Sequence, residues 1–380
     1  MRIGIDGSVF IDKQFTGVTK SVYEIIRRWM VKYPEHEYYI ISRTPIYLDL
    51  KLPENWHCII TMEEFDKKLP LMEKHGKIWN ILKLPGVIQK LDLDAYWGTN
   101  YILPIFTNKK TKYYVTIYDL ALYIFDGIGE RSNLIKLKLF CKNACRIAEK
   151  VVAISKATAD DIERIFKINK DKIAVSYCGN SKQKREYDIE KVKDVIKFKE
   201  DFFLFISTIE PRKNIITIIK AFEEYCQDTM STTKLVIAGK KGWNCENVFE
   251  VIKISPYKSR IIIPGYISDD DKSYLLSNAK AFLYPSLYEG FGLPVLEAFE
   301  YGLPVITSNN SSLPEVGGDA AFYIDDCHDH KKLCELMIEV EKMDIADREV
   351  LKKKMDIQLN KFSWDRNADE MMDIISGKRS

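Results

Sequence analysis

Residues 284–309 read YPSLYEGFGLPVLEAFEYGLPVITSN, a segment in which two strand-like runs enclose a glycine turn and a helix. It opens at the end of a short apolar run that favours a buried strand. A glycine turn at Gly290 and Gly292 follows, and then a helix with Pro294 in its first turn. Gly302, with a proline two residues later, ends that helix, and the next apolar run predicts another strand. The order strand, glycine turn, helix, strand is typical of a doubly wound parallel sheet.

Two carboxylates, Glu289 and Glu297, flank the glycine turn with seven residues between them. The amino end of a helix presents backbone amides that bind anions, and a carboxylate accepts hydroxyl groups well. The spacing suits a phosphate with hydroxyl groups on either side of it, which is the order of groups in a sugar nucleotide. An ordinary turn with two surface glutamates has the same spacing, so the pattern alone leaves both interpretations open.

The composition narrows the class of protein. A chain of 380 residues is too long for one ordinary core, so two domains are expected. It contains no apolar run long enough to span a membrane, and its amino end does not resemble a signal peptide, which favours a cytoplasmic location. The eight cysteines are scattered without a CxxC pair, which argues against zinc and disulfides.

Charge is distributed unevenly along the chain. Residues 1–180 hold 28 basic and 21 acidic side chains, and the remainder holds 29 and 34, so the first half is expected to face something anionic. Within it, residues 131–150 combine six basic residues and one acidic residue with apolar residues at helical spacing. Such a helix can lie on an anionic membrane, or it can pack on a core with a solvated basic face.

Apolar runs alternate with helical patterns through both halves of the chain. This alternation predicts two doubly wound parallel sheets, with the boundary in the charged segment 178–201. Ligands of such folds bind at the carboxyl ends of the strands, and two domains in tandem form a cleft. The expected strands lie near RIGID, YYIIS, HCIIT, DAYWG, YYVTIYD, KVVAIS, FFLFIS, KLVIAG, RIIIPG, AFLYPS and PVITS.

Several segments together resemble the retaining glycosyltransferases of family 4. EGFGLPVLE at 289–297 is similar to the family's E-x7-E signature, and STIEPRKN at 207–214 to its phosphate-clamp loop. Further matches, in chain order, are DGSVFIDKQFTGVTKSVYEII, NYILP, VVAISKATADDI, LVIAGKKGW, PGYISDDD and KFSWDRNADEMMDII. Because the matches run through nearly the whole chain in the right order, they are more specific together than any one of them is alone.

The resemblance implies the GT-B fold, an α/β architecture in which two Rossmann-like domains face each other across a cleft. Residues 1–180 would form the acceptor-side domain, joined by a last helix at about 364–380. Residues 181–363 would form the domain that binds the nucleotide sugar.

The resemblance also implies roles for individual residues. Glu289 matches the glutamate beside the donor sugar, and Glu297 matches the glutamate that accepts the ribose hydroxyls. Arg212 and Lys213, in a loop expected to be exposed, would stabilise the charge on the departing diphosphate. Glu289, Lys213 and Arg212 are thus the expected catalytic residues. The other expected donor contacts are Gly290, Phe291, Gly292, Leu293, Gly17, Ser207, Gly239, Tyr266 and Ile267.

Candidate contacts to the sugar or the acceptor are Tyr118, Asp119 and Asn100. Relatives commonly have a histidine where this chain has Tyr118. Tyrosine can donate a hydrogen bond but does not act as a base near neutral pH. The histidine is therefore dispensable in this branch, or the sugar pocket differs, or activity is reduced, and we favour the first two.

These matches predict a retaining hexosyltransferase that moves a sugar from a nucleoside diphosphate donor to a glycan or lipid-linked acceptor in cell-surface polysaccharide or glycolipid synthesis. GDP-mannose is a candidate donor, and attachment to the inner face of the cell membrane would suit a lipid-linked acceptor. No metal or cofactor is expected, because the acidic segments 92–94 and 269–271 are typical of a strand start and a helix start. No nucleic-acid partner is implied.

Two other functions remain open. One is a non-catalytic nucleotide-sugar-binding protein of the same fold, for which Tyr118 is the only hint. The other is a dinucleotide oxidoreductase, but its G-x-G-x-x-G fingerprint is missing after RIGID, where the chain reads DGSVFID.

Overall fold

The computed structural model describes residues 1–13, 16–61, 79, 83–125, 131–181 and 184–378. The chain divides into two compact units. The first unit comprises Met1–Gly179 together with Trp364–Ser380, and the second comprises Asn180–Ser363.

Seven strands form the sheet of the first unit: β1 (Arg2–Asp6), β2 (Glu37–Ser42), β3 (Trp56–Ile60), β4 (Ala95–Gly98), β5 (Lys112–Ile117), β6 (Lys150–Ala153) and β7 (Ile173–Val175). They lie in the order β3-β2-β1-β4-β5-β6-β7, and every neighbouring pair is parallel. The described helices between residues 1 and 179 are α1 (Gly17–Lys32), α2 (Leu84–Lys90), α3 (Ala121–Ile124), α4 (Arg131–Ile147) and α5 (Lys156–Phe166).

Both faces of this sheet are buried, which explains why its strands are almost continuously apolar. Ile5 of β1 pairs in register with Ile40 of β2 and Trp97 of β4, and the three side chains share one face. Trp29 of α1 packs on that face, and Cys141 of α4 packs on the other. Each face is therefore covered by helices, as a doubly wound sheet requires.

Six strands form the sheet of the second unit: β8 (Phe202–Ile206), β9 (Lys234–Ala238), β10 (Ile261–Gly265), β11 (Ala281–Tyr284), β12 (Val305–Ser308) and β13 (Ala321–Ile324). Their order is β10-β9-β8-β11-β12-β13, again all parallel. The helices are α6 (Ile215–Thr229), α7 (Glu246–Ile254), α8 (Asp269–Asn278), α9 (Leu293–Glu300), α10 (Leu313–Gly317), α11 (His330–Lys342) and α12 (Ile345–Leu359).

The strand order of the second sheet reverses between β8 and β11. The chain builds outward from β8 through β9 to β10, then returns to place β11 on the other side of β8. Such a reversal leaves a crevice outside the carboxyl ends of the two central strands, where ligands of open α/β sheets bind.

The last helix of the chain, α13 (Trp364–Ser376), belongs to the first unit. It packs on α1, where Trp29 Nε1 donates to the Ala368 carbonyl at 2.9 Å and Lys32 Nζ lies 2.6 Å from the Asp369 carboxylate. Met371 and Ile375 of α13 join the same buried face of the sheet as α1. The end of the sequence thus completes a core that the beginning of the sequence starts.

The two doubly wound parallel sheets expected from the sequence are confirmed. Residues 269–271 begin α8 as expected, with Ser268 and Asp271 forming a reciprocal capping box. β7 and β13 were not expected. Within the described ranges, no helix has the length and apolar character needed to cross a bilayer.

Candidate active site

The loops after β8 and β11 carry the expected catalytic residues. The loop after β8 contains a short 3₁₀ turn, Pro211–Lys213, and the loop after β11 contains Glu289. Since β8 and β11 are neighbours in the sheet, the two loops meet, and the Leu287 amide donates to the Arg212 carbonyl at 2.9 Å. The cations and the carboxylate, distant in sequence, therefore lie together at the reversal of strand order.

Lys213 and Glu289 form a buried ion pair. Lys213 Nζ lies 2.5 Å from Glu289 Oε1 and donates to Tyr284 Oη at 2.8 Å. The side chains of the pair are only 6% and 9% exposed. The expectation that the Lys213 loop is exposed is therefore wrong at this side chain, because a partner distant in sequence compensates the ammonium group for its loss of water.

Arg212 extends the pair into a four-residue ionic cluster of Glu210, Arg212, Lys213 and Glu289. Arg212 Nη1 lies 2.9 Å from Glu289 Oε2 and donates to the Tyr288 carbonyl at 2.8 Å. Arg212 Nη2 lies 2.8 Å from Glu210 Oε1. Two positive and two negative side chains balance one another, so the cluster as folded is close to neutral.

The electrostatics of the ionic cluster keep its carboxylate ionised. Burial by itself would raise the pKa of Glu289, but the charges of Lys213 and Arg212 outweigh it and lower the pKa to about 2. Burial, reinforced by neighbouring Arg212, lowers the pKa of Lys213 against the opposing pull of Glu289. Burial, and then the charge of Glu289, raises the pKa of Tyr284 well above its ordinary value, so the phenol stays protonated.

Two serines fix the backbone around Glu289. Its amide donates to Ser311 Oγ at 3.0 Å. Ser312 Oγ lies within hydrogen-bonding distance of two carbonyl oxygens, 2.9 Å from that of Glu289 and 2.6 Å from that of Phe291, and its one proton is available to either. These serines, together with Tyr284 and Glu210, were missed by sequence reasoning. Only Glu210 had a sequence signal, since it stands in the same short segment as Arg212 and Lys213.

The glycine turn leads into α9 as the sequence predicts. Gly292 precedes the helix with φ of +118°, a conformation that favours glycine. Phe291 is 3% exposed and packs edge-on against Phe362 with ring centroids 5.4 Å apart, so its side chain is a core contact. Gly290 is buried, and half-buried Leu293 is the first residue of α9.

Glu297 lies on α9 and has a partner that the sequence did not indicate. Lys272 Nζ of α8 lies 2.5 Å from Glu297 Oε2, and the Glu297 side chain is 20% exposed. Glu297 is therefore a half-buried carboxylate that is paired with Lys272, and it is not a freely solvated surface glutamate.

The remaining donor residues expected in the second unit follow the carboxyl ends of β8, β9 and β10. Gly239 has φ of +147°, and a Cβ there would lie 1.8 Å from the Ser207 carbonyl oxygen. Tyr266 is 66% exposed, and Ile267 is half-buried beside it. Ser207, Gly239 and Tyr266 therefore follow the carboxyl ends of three neighbouring strands of the sheet.

Four expected site residues lie in the first unit, also after strands. Gly17 is the exposed first residue of α1, and Asn100 follows β4. Tyr118 follows β5 and is 6% exposed, and burial raises its pKa above the ordinary value. Asp119 Oδ1 accepts the Ala121 amide at 3.0 Å. Their roles at a donor or acceptor stay predictions.

In the part of the chain that the structure describes, no three His, Cys, Asp or Glu side chains are arranged to hold a metal ion.

The ionic cluster lies in a part of the chain that matches a known protein family. Residues 186–356 match the family described as Glycosyl transferases group 1. The chain is 28% identical over 274 residues to O-antigen chain mannosyltransferase B of Escherichia coli, and the match covers 71% of each protein. It is 32% identical over 232 residues to serotype-specific mannosyltransferase WbdA of Escherichia coli, covering 58% of this chain and 28% of WbdA.

Among solved structures, sucrose-phosphate synthase from Thermosynechococcus elongatus superposes with a TM-score of 0.72. The match covers 99% of this chain and 98% of that one at 16% identity. The chain has the GT-B fold. The expected fold class is therefore confirmed, and the family match lies within the second unit, where the ionic cluster is found.

Proposed function

We propose that this protein is a retaining glycosyltransferase that moves a sugar from a nucleoside diphosphate donor to an acceptor hydroxyl. The observation that carries the proposal is the ionic cluster, which holds Arg212 and Lys213 beside Glu289 at the reversal of strand order. The family match over residues 186–356 supports a glycosyltransferase domain at the same place.

The chemistry of the transfer explains why two cations are needed. Breaking the bond between the anomeric carbon and the phosphate oxygen leaves negative charge on the diphosphate, which preorganised positive groups stabilise. Arg212 supplies a planar fork and Lys213 a point charge. In the proposed course, the acceptor oxygen attacks the anomeric carbon from the face that the diphosphate leaves, and a departing phosphate oxygen takes the acceptor proton. The two cations and the amides at the start of α9 perform this stabilisation without a metal ion.

The donor would extend along the carboxyl edge of the second sheet. Glu289 would accept hydroxyls of the donor sugar while it orients both cations, and Glu297 would accept the ribose hydroxyls. Gly239 and Ser207 would bring backbone close to the diphosphate, and the exposed ring of Tyr266 would lie beside the base.

The names of the relatives support mannose as the transferred sugar. Both curated relatives described above are mannosyltransferases, and one is named for the O-antigen chain. GDP-mannose is therefore the proposed donor, and a glycan or lipid-linked glycan of a cell-surface polysaccharide is the proposed acceptor.

Attachment to a membrane surface would bring the enzyme to a lipid-linked acceptor. On α4, Ile135 and Leu139 are 59% and 65% exposed, one turn apart, while Cys141 on the opposite face is fully buried. Lys136 and Arg146 are exposed on the same helix. Exposed apolar side chains among basic ones suit a peripheral position on the anionic inner face of the cell membrane. The side chains of residues 131–133 lie outside the described residues.

One observation favours a second candidate, a non-catalytic nucleotide-sugar-binding protein. The resemblance described above implies a histidine where this chain has Tyr118, and the Tyr118 side chain is buried. A ligand panel read by thermal shift, followed by an assay for GDP release, separates the two functions. A ligand at 100 times its Kd stabilises by about 2.7 kcal/mol, which is easily measured.

Each outcome of this experiment has a distinct meaning. Stabilisation by GDP-mannose with GDP release in the presence of a mannose-terminated acceptor supports the enzyme. Stabilisation without release on any acceptor supports the binding protein. Absence of stabilisation by every nucleoside diphosphate and its sugars would contradict both.

A further inference from the structure

Tyr284 is the last residue of β11 and the only one in that strand with a polar side chain. It is 1% exposed. Its ring stacks with the rings of Phe282 and Phe205, at centroid distances of 5.6 and 6.2 Å, and its carbonyl accepts the Thr307 hydroxyl at 2.8 Å. Ring and backbone are both held by neighbours in the sheet, so the phenol oxygen has a fixed position.

Lys213 reaches this oxygen from the loop after β8. An ammonium group has three N–H donors. Two of them have acceptors in the described part of the chain, Glu289 Oε1 at 2.5 Å and Tyr284 Oη at 2.8 Å. The two acceptors together fix the position of Nζ and its rotation about the Cε–Nζ bond. The direction of the third N–H is thereby fixed as well.

The two acceptors differ in what they do to the charge of Lys213. Glu289 is an anion, so it orients the ammonium group and also offsets its charge. Burial, and then the charge of Glu289, raises the pKa of Tyr284 well above its ordinary value, so the phenol stays neutral. Tyr284 therefore orients the ammonium group and leaves its charge available to an anionic ligand.

We propose that Tyr284 is a positioning residue for the leaving group: its hydroxyl holds the Lys213 ammonium group so that the third N–H meets a diphosphate oxygen. As the bond from the anomeric carbon to that phosphate breaks, the oxygen gains charge and its hydrogen bond from Lys213 strengthens, while the proton stays on the nitrogen. The inference rests on the proposed glycosyltransferase function, and it adds a residue to which the family resemblance assigns no role.

Loss of the phenol oxygen should change the ionisation of Lys213. Burial lowers the pKa of Lys213, Glu289 opposes this effect, Arg212 reinforces it, and Glu210 opposes it. Tyr284 is the remaining titratable group in contact with the ammonium. An acceptor for the ammonium favours its charged form. Tyr284→Phe should therefore lower the pKa of Lys213 further, and activity should fall at a lower pH on the alkaline side.

Kinetics of Tyr284→Phe on GDP-mannose with a mannose-terminated acceptor test the proposal. The variant keeps the ring, whose centroid lies 5.0 Å from Lys213 Nζ, and removes only the oxygen. We expect kcat to fall about tenfold, as for one lost hydrogen bond to a charged group, with a smaller change in donor KM. Adding Tyr284→Phe to Lys213→Ala should lower kcat no further, because Tyr284 acts through Lys213.

Tyr225→Phe is the matched control. Tyr225 on α6 is also a buried tyrosine of the second unit, and its hydroxyl donates to Glu341 Oε2 at 2.7 Å. Its loss should lower the Tm but leave kcat and the alkaline limb of the pH profile unchanged. A purely structural role of Tyr284 would make Tyr284→Phe behave in the same way.

An NMR titration of the full chain, with ¹³C at the lysine Cε, measures the pKa of Lys213 without turnover. The Lys213 signal is the one that Lys213→Ala lacks. An unchanged pKa in Tyr284→Phe would overturn the inference, and so would an equal loss of kcat from Tyr284→Phe in the wild type and in Lys213→Ala. If the wild type releases no GDP from GDP-mannose, the proposed function fails, and the titration still decides whether Tyr284 holds the charged form of Lys213.

Discussion

Lys213 differs from an ordinary loop lysine because its ammonium group lies 2.5 Å from Glu289 inside the protein. Lys213→Ala should lower kcat about 10²-fold, since it removes one preorganised charge from the leaving group. It should also lower the free energy of unfolding by about 3 kcal/mol, because Glu289 stays buried with one partner fewer. Steady-state kinetics and urea unfolding of the same preparation measure both effects.

The control for this prediction removes both members of the pair. Lys213→Met combined with Glu289→Leu replaces two buried charges by apolar groups, so stability should return to near the wild-type value while activity stays lost. Wild-type stability in Lys213→Ala alone would mean that the ion pair does not form in solution.

The two glutamates of the E-x7-E segment should respond differently to neutralisation. Glu289→Gln leaves Arg212 and Lys213 without their shared counter-charge, so bare GDP should bind a few-fold more tightly while kcat falls. Glu297→Gln should weaken GDP binding and raise the donor KM, because a ribose contact is equal in ground and transition states. Isothermal calorimetry with GDP distinguishes them, and the reverse pattern would mean that the roles are exchanged.

At the scale of elements, the turn between β9 and α7 depends on one glycine. Gly239 has φ of +147°, and a Cβ there would lie 1.8 Å from the Ser207 carbonyl oxygen. Gly239→Ala should therefore cost several kcal/mol of stability and weaken donor binding, because the β8 and β9 loops must separate. Gly302, after α9, is the matched control: its φ is +67°, but a Cβ there would meet nothing within 4 Å. Gly302→Ala should cost only about 1 kcal/mol; equal losses in urea unfolding would contradict this reasoning.

The exposed face of α4 gives a second prediction at this scale. Changing Lys136, Lys138 and Lys142 to Glu should weaken binding to vesicles that contain anionic lipid by about 1 kcal/mol for each residue. Vesicle co-sedimentation at low salt measures the effect. The matched control reverses Lys352, Lys353 and Lys354, three exposed residues of α12 in the second unit, and should change nothing. Equal binding by both triple variants and wild type would favour a solvated face on α4.

The elements also indicate how far sequence reasoning reaches. Long apolar runs bounded by glycine or proline predicted the inner strands, since burial on both faces leaves a clear pattern. β7 and β13, the edge strands IAV and AFYI, were missed because their side chains are mostly half-buried, so they lack the continuously buried apolar run of the inner strands. Within the site, Lys213 and Glu289 were found separately, but their ion pair was not, because contact between them depends on the pairing of β8 with β11. The partner of Glu297, Lys272, has no sequence signal for the same reason.

At the scale of the whole molecule, the first unit depends on residues from both ends of the chain. Met371, Met372, Ile374 and Ile375 of α13 are each about 1% exposed. Burial of each such side chain contributes about 1.5–3 kcal/mol, so together they approach the entire stability of a typical domain. Deleting residues 364–380 should therefore abolish cooperative unfolding of the first unit. Tryptophan fluorescence reports this selectively, because four of the five tryptophans that remain after the deletion lie in the first unit and only Trp243 lies in the second.

Asp369→Asn is the control for that deletion. It removes the partly exposed pair with Lys32 but keeps the buried face of α13, so it should cost no more than about 1 kcal/mol. A normal fluorescence transition in the truncated chain would mean that α13 is dispensable for the first core.

The first and last residues of the second unit, Asn180 and Ser363, are in contact. Asn180 and Ser363 pair in a parallel bridge, and Asn180 Nδ2 donates to the carbonyls of Leu359 and Phe362 at 2.7 Å each. In mechanical terms the second unit is an insertion in the sequence of the first unit, and the two ends of the insertion are held together by the Asn180–Ser363 bridge. Tension applied to the two ends of the chain is carried by the first unit, starting where α13 lies on α1. The load reaches the second unit only at the Asn180–Ser363 bridge.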